Sequence, residues 1–445
     1  MSSKISAEKL ATAFEQIITR DFGQCVAPTP YITPSGFGRH VDAFLGGGFT
    51  SSLPILFTST PESGKSTAAF QFAANFQKAH VDSVVIYLDV ENAAAAADES
   101  NIMSRIETFG IDRSKFLYKP LVVHLEQTFD LIESLVGIKK KLEDATGNEY
   151  KVLFIWDSLA STPISKEVQV DDPNQVIGLK ARILTHQLAK HKAMFLMNKV
   201  TILIIDQIRS NIQIQSQFAP RDEKGVGSFG ASHKAATNVN ALQHSIAQWL
   251  FLSKKEIFNS GSGFGVDGWV LELYSEKNKL APSNYTVNVV LDKKFGIDPI
   301  ISEYWFMSNM SKWEFKYTDR KPEKLVYPLA ITVEGRSKVV NIYDPKTKAV
   351  VKKSEKFTEK NFYEKYYTDK EFKAIFDEAV ELSVTYRIKV AYFRENINGI
   401  KAPDVAPLNV QEALDPVVEL AMVEEQPSMT VDTDTGEIIN YQPEL

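Results

Sequence analysis

Cysteine is nearly missing from this sequence: Cys25 stands alone among 445 residues. One cysteine excludes an internal disulfide and fits a reducing, cytoplasmic compartment. Long hydrophobic runs are missing too. No stretch of 18 apolar residues occurs, so no membrane span is expected, and the opening Met1-Ser2-Ser3-Lys4-Ile5-Ser6 lacks the apolar core of a signal peptide. The seven histidines are scattered without metal-ligand spacing. Lysine and arginine are absent from 402–445, which hold ten Asp or Glu, so the formal charge of −6 divides into −10 there and +4 on 1–401. A mildly basic body could bind nucleic acid with the tail competing for the same surface. The plainer role of such a tail is a solvated, disordered terminus.

With 44% hydrophobic residues the chain has material for a large core and a smaller one. Helical spacing of Ala7, Leu10, Ala11, Phe14, Ile17 and Ile18 predicts a helix over 7–20, and Pro28, Pro30 and Pro34 an extended linker. Nearly unbroken apolar strands are expected at 83–90, 151–157 and 200–206, with helical stretches between them. That alternation reads as α/β: a mostly parallel, doubly wound sheet. More alternating strands at 246–253, 269–276 and 286–292 would extend it on one side. Residues 1–34 form an arm and linker, 35–324 the core, 325–401 a small α/β domain with a hairpin at Asp344-Pro345-Lys346, and 402–445 the acidic tail.

The richest segment is Pro61-Glu62-Ser63-Gly64-Lys65-Ser66-Thr67, between the apolar run 53–57 and a helical pattern. Strand, tight loop and helix opening on Gly-Lys-Ser make a phosphate cradle, with backbone N–H groups and the helix N-terminus aimed at the anion. Lys65 would reach the β- and γ-phosphates and Ser66 would ligate Mg²⁺. Ser59 stands where the pattern wants glycine. The strand at 83–90 runs into Glu91, placed to activate a water against the γ-phosphate; the alternative is a helix-capping carboxylate. The strand at 151–157 closes on Asp157, whose carboxylate would hold Mg²⁺ with Ser66. Gln207 follows the third strand and could sense the γ-phosphate. Beyond it, 209–236 is polar and Gly/Ser-rich, and it mixes cations with aromatics as single-stranded DNA binding requires. Its candidates are Arg209, Ser210, Asn211, Phe218, Lys224 and Phe229. A second loop at 164–178 leads to Lys180 and Arg182.

Seven motifs in order resemble the RecA recombinases: Thr60-Pro61-Glu62-Ser63-Gly64-Lys65-Ser66, Asp89-Val90-Glu91, Asp157-Ser158-Leu159-Ala160, Gly178-Leu179-Lys180-Ala181-Arg182, Gln207-Ile208-Arg209, Asn240-Ala241-Leu242 and Lys277-Asn278-Lys279. Length, Gly296-Ile297-Asp298-Pro299 and the C-terminal hairpin-plus-helix look most like the bacteriophage UvsX-type branch. The resemblance implies a RecA-like ATPase core using ATP and Mg²⁺, with Ser59 through Thr67 and Asp157 at the nucleotide. It implies Glu91 as catalytic carboxylate and Gln207 as sensor. Lys277 and Lys279 would reach a neighbour's γ-phosphate. Gly178, Lys180, Arg182, Thr185 and Asn240 would join the DNA loops, and helix 7–20 would be a polymerisation arm. Arg105 falls where an adenine-stacking tyrosine is usual. The expectation is a DNA-dependent ATPase that polymerises as a helical filament on single-stranded DNA and exchanges strands with duplex, helped by a single-strand-binding protein and a loader. The alternatives are a ring-forming helicase-type ATPase on the same core and an accessory paralogue that binds ATP and DNA.

Overall fold

The computed structural model describes residues 29–389 except 52, 60–61, 92–98, 121–122, 166–178, 208–241, 243, 259–262, 310–327 and 345–346, together with 430–431 and 438–440. The helix expected at 7–20 lies outside these residues. A short antiparallel pair, β1 (Ile32–Thr33) and β2 (Phe49–Thr50), encloses α1 (Arg39–Leu45). β3 (Ile55–Ser59) runs through the phosphate-loop segment into α2 (Lys65–Ala79). Then follow β4 (Ser83–Asp89), α3 (Glu99–Phe109), β5 (Phe116–Pro120), α4 (Leu125–Thr146), β6 (Lys151–Asp157), α5 (Leu179–Asn198) and β7 (Val200–Gln207). β8 (Gln248–Phe258), β9 (Gly268–Asn278), β10 (Tyr285–Asp292) and β11 (Gly296–Asp298) lead to α6 (Pro299–Asn309).

These strands make one nine-stranded sheet in the order β11-β10-β9-β8-β3-β7-β6-β4-β5. It is parallel from β8 to β5 and antiparallel from β8 outward to β11. The expected strands fall where the apolar runs put them, and β8–β10 do extend one side. β5 is an addition to the expected strands. It is an edge strand, Phe-Leu-Tyr-Lys-Pro, with only Phe116 buried, and so lacks the continuous apolar run that marks the central strands.

Alternate side chains divide the central strands between two cores, as the period of two demands. Ile55, Phe57, Tyr87, Ile155 and Ile205 pack with α2 through Phe70, Phe72 and Phe76. Leu56, Leu88, Phe154, Trp156 and Ile204 pack with Phe129 of α4 and Leu184 and Leu188 of α5. Fully burying one such side chain contributes about 1.5–3 kcal/mol, so helices fix both faces and hold the strand register. No described helix is long and apolar enough to cross a membrane.

A smaller sheet, β12 (Ile331–Glu334), β13 (Ser337–Tyr343) and β14 (Val350–Lys353), carries the expected hairpin around Asp344. It is followed by α7 (Phe362–Thr368) and α8 (Lys370–Val384). α8 starts where Asp369 accepts the N–H groups of Glu371 and Phe372, both at 3.0 Å. It buries Phe372, Ile375, Phe376, Ala379 and Val380 against Phe357 and Phe362. This aromatic cluster continues through Tyr304 of α6 into the core of the large sheet. Arg39 of α1 ties the same region together, donating to Glu303 at 2.7 Å and Asp377 at 2.9 Å. In the separate unit 395–445, β15 (Thr430–Val431) pairs with β16 (Ile438–Asn440). These five residues carry strand structure inside the segment expected to be disordered.

Candidate nucleotide site

Register brings the chemistry to one edge of the sheet. Ser59 lies opposite Gln207, and Asp89 opposite Asp157. The C-terminal ends of β3, β7, β6 and β4 therefore open together, where parallel sheets place their ligands. Between β3 and α2 the backbone turns through left-handed Glu62 and Gly64, at φ 58° and 83°. A Cβ at Gly64 would also sit 2.9 Å from Leu291 Cδ2, which that side chain would have to move aside to admit. From this turn α2 starts at Lys65, with its unpaired N–H groups facing the mouth of the sheet. Ser63, Gly64, Lys65, Ser66, Tyr87, Asp89, Glu91, Asp157 and Gln207, together with Arg105, Trp269 and Lys293, line a cavity of about 330 Å³.

Inside it, the Lys65 ammonium donates to Ser59 Oγ at 2.6 Å. The serine that replaces the usual glycine is thus an anchor for the lysine. Ser66 Oγ donates to Asp157 Oδ2 at 2.8 Å, and the Tyr87 phenol donates to the same oxygen at 2.5 Å. Tyr118 holds Asp89 in the same way at 2.6 Å. Burial pushes the Asp157 carboxyl up and the Glu91 and Asp89 charges add to it, against the hydrogen bonds from Tyr87 and Ser66. Burial lowers the Lys65 ammonium, while the Asp157, Glu91 and Asp206 charges oppose that. Asp206 is pushed up to about 6 by burial, and its Oδ2 is buried with no hydrogen-bond partner among the described residues. An excess of carboxylates beside a phosphate cradle suits a hard cation that takes oxygen ligands from one or two carboxylates and from phosphate. Ser66 and Asp157 are the donors that fit Mg²⁺.

Glu91 and Gln207 meet. Gln207 Nε2 donates to Glu91 Oε1 at 3.1 Å and Oε2 at 3.3 Å. Ser161 Oγ donates to Oε1 at 2.8 Å, and Ser158 Oγ donates to the same oxygen. Glu91 lines the cavity and is held there by these donors.

Lys277 and Lys279 are not part of this cluster. Leu273 stands level with Ser59 through Leu252, and Lys277 lies four residues on, about 13 Å along the strand. The two lysines thus sit toward the opposite edge of the sheet, where burial, their mutual repulsion and Lys192 lower the Lys277 ammonium.

Lys180 differs from expectation. Rather than facing outward for DNA, its ammonium donates to the carbonyls of Leu159 at 3.0 Å and Ala160 at 3.2 Å. The lysine thus supplies a charged donor to two carbonyls of the turn after β6. Arg182 is exposed on α5, and Thr185 Oγ1 donates to Ala181 O within the helix at 2.7 Å. Thr60, Pro61, Gly178, Arg209, Ser210, Asn211, Phe218, Lys224, Phe229 and Asn240 lie outside the described residues. Thr67 lines the cavity with Glu62. Arg105 does too, its guanidinium 5.8 Å from the centre of the Phe70 ring. Sequence reasoning missed Tyr87, Tyr118 and Ser161. Tyr87 could have been found two residues before Asp89 on the same strand face, and Ser161 one turn after Ser158.

A lysine-bearing loop, a hydroxyl–aspartate pair and a Glu–Gln pair at the ends of adjacent parallel strands define a phosphate-loop nucleotide-binding core of the RecA type. Residues 33–228, a little under half of the chain, match the model of the RecA N-terminal domain. The chain is similar to Protein RecA of Mycoplasma pneumoniae, 28% identical over 47% of this chain and 56% of that protein. Protein RecA of Mycoplasma genitalium is 30% identical over 38% and 44%, and that of Malacoplasma penetrans 26% identical over 62% and 74%. The chain thus spans about half the length of the first two.

Proposed function

We propose that this protein is an ATP-dependent DNA recombinase of the UvsX-type branch. It would form a helical filament on single-stranded DNA, pair it with homologous duplex and exchange strands. The observation that carries this reading is the Glu91–Gln207 contact at the mouth of the phosphate cavity. Gln207 is the last residue of β7, and the chain passes from it directly into the cation- and aromatic-bearing stretch 209–236. A change at the γ-phosphate thus has a one-residue path to the DNA-binding candidates.

In the hydrolytic step a water oxygen attacks the γ-phosphorus and its proton passes to Glu91. The bond to the bridging oxygen breaks, and that electron pair leaves with ADP. Lys65 and the α2 N-terminus would neutralise the phosphates, and Ser66 and Asp157 would hold Mg²⁺, which would offset the developing charge. Lys277 and Lys279, remote from their own cavity, fit a role at a neighbouring subunit's site, where they would serve as arginine fingers do. A single-strand-binding protein and a loader would assist at the DNA.

Joint-molecule formation tests the reading. Single-stranded circles, homologous linear duplex and ATP should give joint molecules with the wild type and none with Lys65→Ala. DNA-stimulated hydrolysis without joint molecules would favour a helicase-type motor.

A further inference from the structure

The turn that follows Asp157 does more than leave the sheet. Thr162 N–H closes it onto the Leu159 carbonyl at 3.2 Å, and the Trp156 indole donates to Thr162 Oγ1 at 2.8 Å. Lys180 takes up the Leu159 and Ala160 carbonyls from α5. The turn is thereby fixed on both sides, and it presents the Ser158 and Ser161 hydroxyls side by side, 3.2 Å apart, to one carboxylate oxygen.

Glu91 Oε1 receives Ser158 Oγ, Ser161 Oγ and Gln207 Nε2, whereas Oε2 receives Gln207 alone among the described residues. A carboxylate oxygen has two lone pairs, so three donors saturate Oε1 and leave Oε2 as the oxygen with room for a water. A general base gains from being held in one orientation by groups that do not themselves react.

We infer that Ser161 is a positioning residue for hydrolysis: its hydroxyl locks Glu91 by Oε1 so that Oε2 alone faces the attacking water. The inference rests on Glu91 being the base. Ser161 is not among the residues that line the cavity and acts through Glu91. Losing its hydroxyl leaves Oε1 to Ser158 and Gln207, so the carboxylate is held less tightly and spends less time with Oε2 in line with the water. Nucleotide binding, which depends on the phosphate loop, is unaffected.

Steady-state ATP hydrolysis by the full chain on saturating single-stranded DNA tests this with Ser161→Ala, Ser161→Thr, Glu91→Gln and the Glu91→Gln/Ser161→Ala double variant. Ser161→Ala should lower kcat about tenfold, as loss of an orienting partner does, with KM for ATP within twofold. Ser161→Thr keeps the hydroxyl and should recover kcat to within twofold of wild type. The double variant should match Glu91→Gln, because the serine has nothing left to orient. A slow Glu91→Gln beside an Ser161→Ala at wild-type kcat overturns the inference alone. So does an Ser161→Ala that slows Glu91→Gln by the same factor as it slows wild type. Wild-type turnover in Glu91→Gln removes the base assignment, and the inference falls with it.

Discussion

Asp206 shows how a single side chain can set the pH response of the ligand-free fold. It is fully buried at the end of β7, one carboxylate oxygen has no hydrogen-bond partner among the described residues, and burial raises its pKa to about 6 from 3.8. A folded pKa above the unfolded one means that the folded state holds the proton more tightly. The protonated group therefore costs nothing below the unfolded pKa, and a stability penalty grows as pH rises from about 4 to about 6. Above that it levels off at about 3 kcal/mol, because each tenfold difference in proton affinity between the two states is worth about 1.4 kcal/mol. Asp206→Asn removes the ionisation, so it should stabilise the nucleotide-free protein at pH 8 by up to that amount and leave it unchanged at pH 4. Chemical denaturation at the two pH values measures this. Equal stability of both proteins at pH 8 would mean that Lys65 and Lys180 already compensate the charge.

At the level of elements, the turn after β6 and the start of α5 act together through Lys180. Lys180→Met removes the ammonium from the Leu159 and Ala160 carbonyls and leaves the apolar stem. Turnover should fall several-fold, while the affinity for single-stranded DNA and its salt dependence stay unchanged. Arg182→Ala, on the exposed side of the same helix, should instead shallow the salt dependence. Filter binding across a salt series separates the two, and a shallower slope for Lys180→Met would return that lysine to the DNA surface.

The same elements show what could be read in the sequence. β3, β4, β6 and β7 were legible because burial on both faces requires unbroken apolar runs. Ser59, Lys65, Asp157 and Gln207 were legible because they close or follow those runs. Edge strand β5 was not, since most of its residues escape burial. Nor was the inward turn of Lys180, because spacing along a helix does not say which carbonyls of a neighbouring turn lie within its reach. The Ser161–Glu91 contact joins residues 70 apart in sequence, and only the register of β4 on β6 brings them together.

For the whole molecule, the separation of the Lys277–Lys279 edge from the phosphate cavity predicts a composite site. Lys277→Ala with Lys279→Ala should abolish hydrolysis, as should Glu91→Gln. Mixing the two should recover part of it, because some interfaces then pair an intact Glu91 with intact lysines. No recovery, with co-assembly shown by cross-linking, would assign the lysines to their own subunit. The charge division predicts a second property. Removing 406–445 should strengthen duplex binding at low salt, with the gain shrinking as salt screens the tail. Identical binding curves for the two proteins would make the tail a passive terminus.

The central claim is that one site, built on Glu91 and connected through Gln207 to the DNA-binding stretch, couples nucleotide hydrolysis to single-stranded DNA. Its most direct test is the rate of ATP hydrolysis by wild type and Glu91→Gln, each with and without single-stranded DNA. The account predicts that DNA stimulates the wild type, and that Glu91→Gln still binds ATP and DNA but turns over at least about two orders of magnitude more slowly, with or without DNA. A wild-type rate indifferent to DNA, or a Glu91→Gln rate within threefold of wild type, would contradict it.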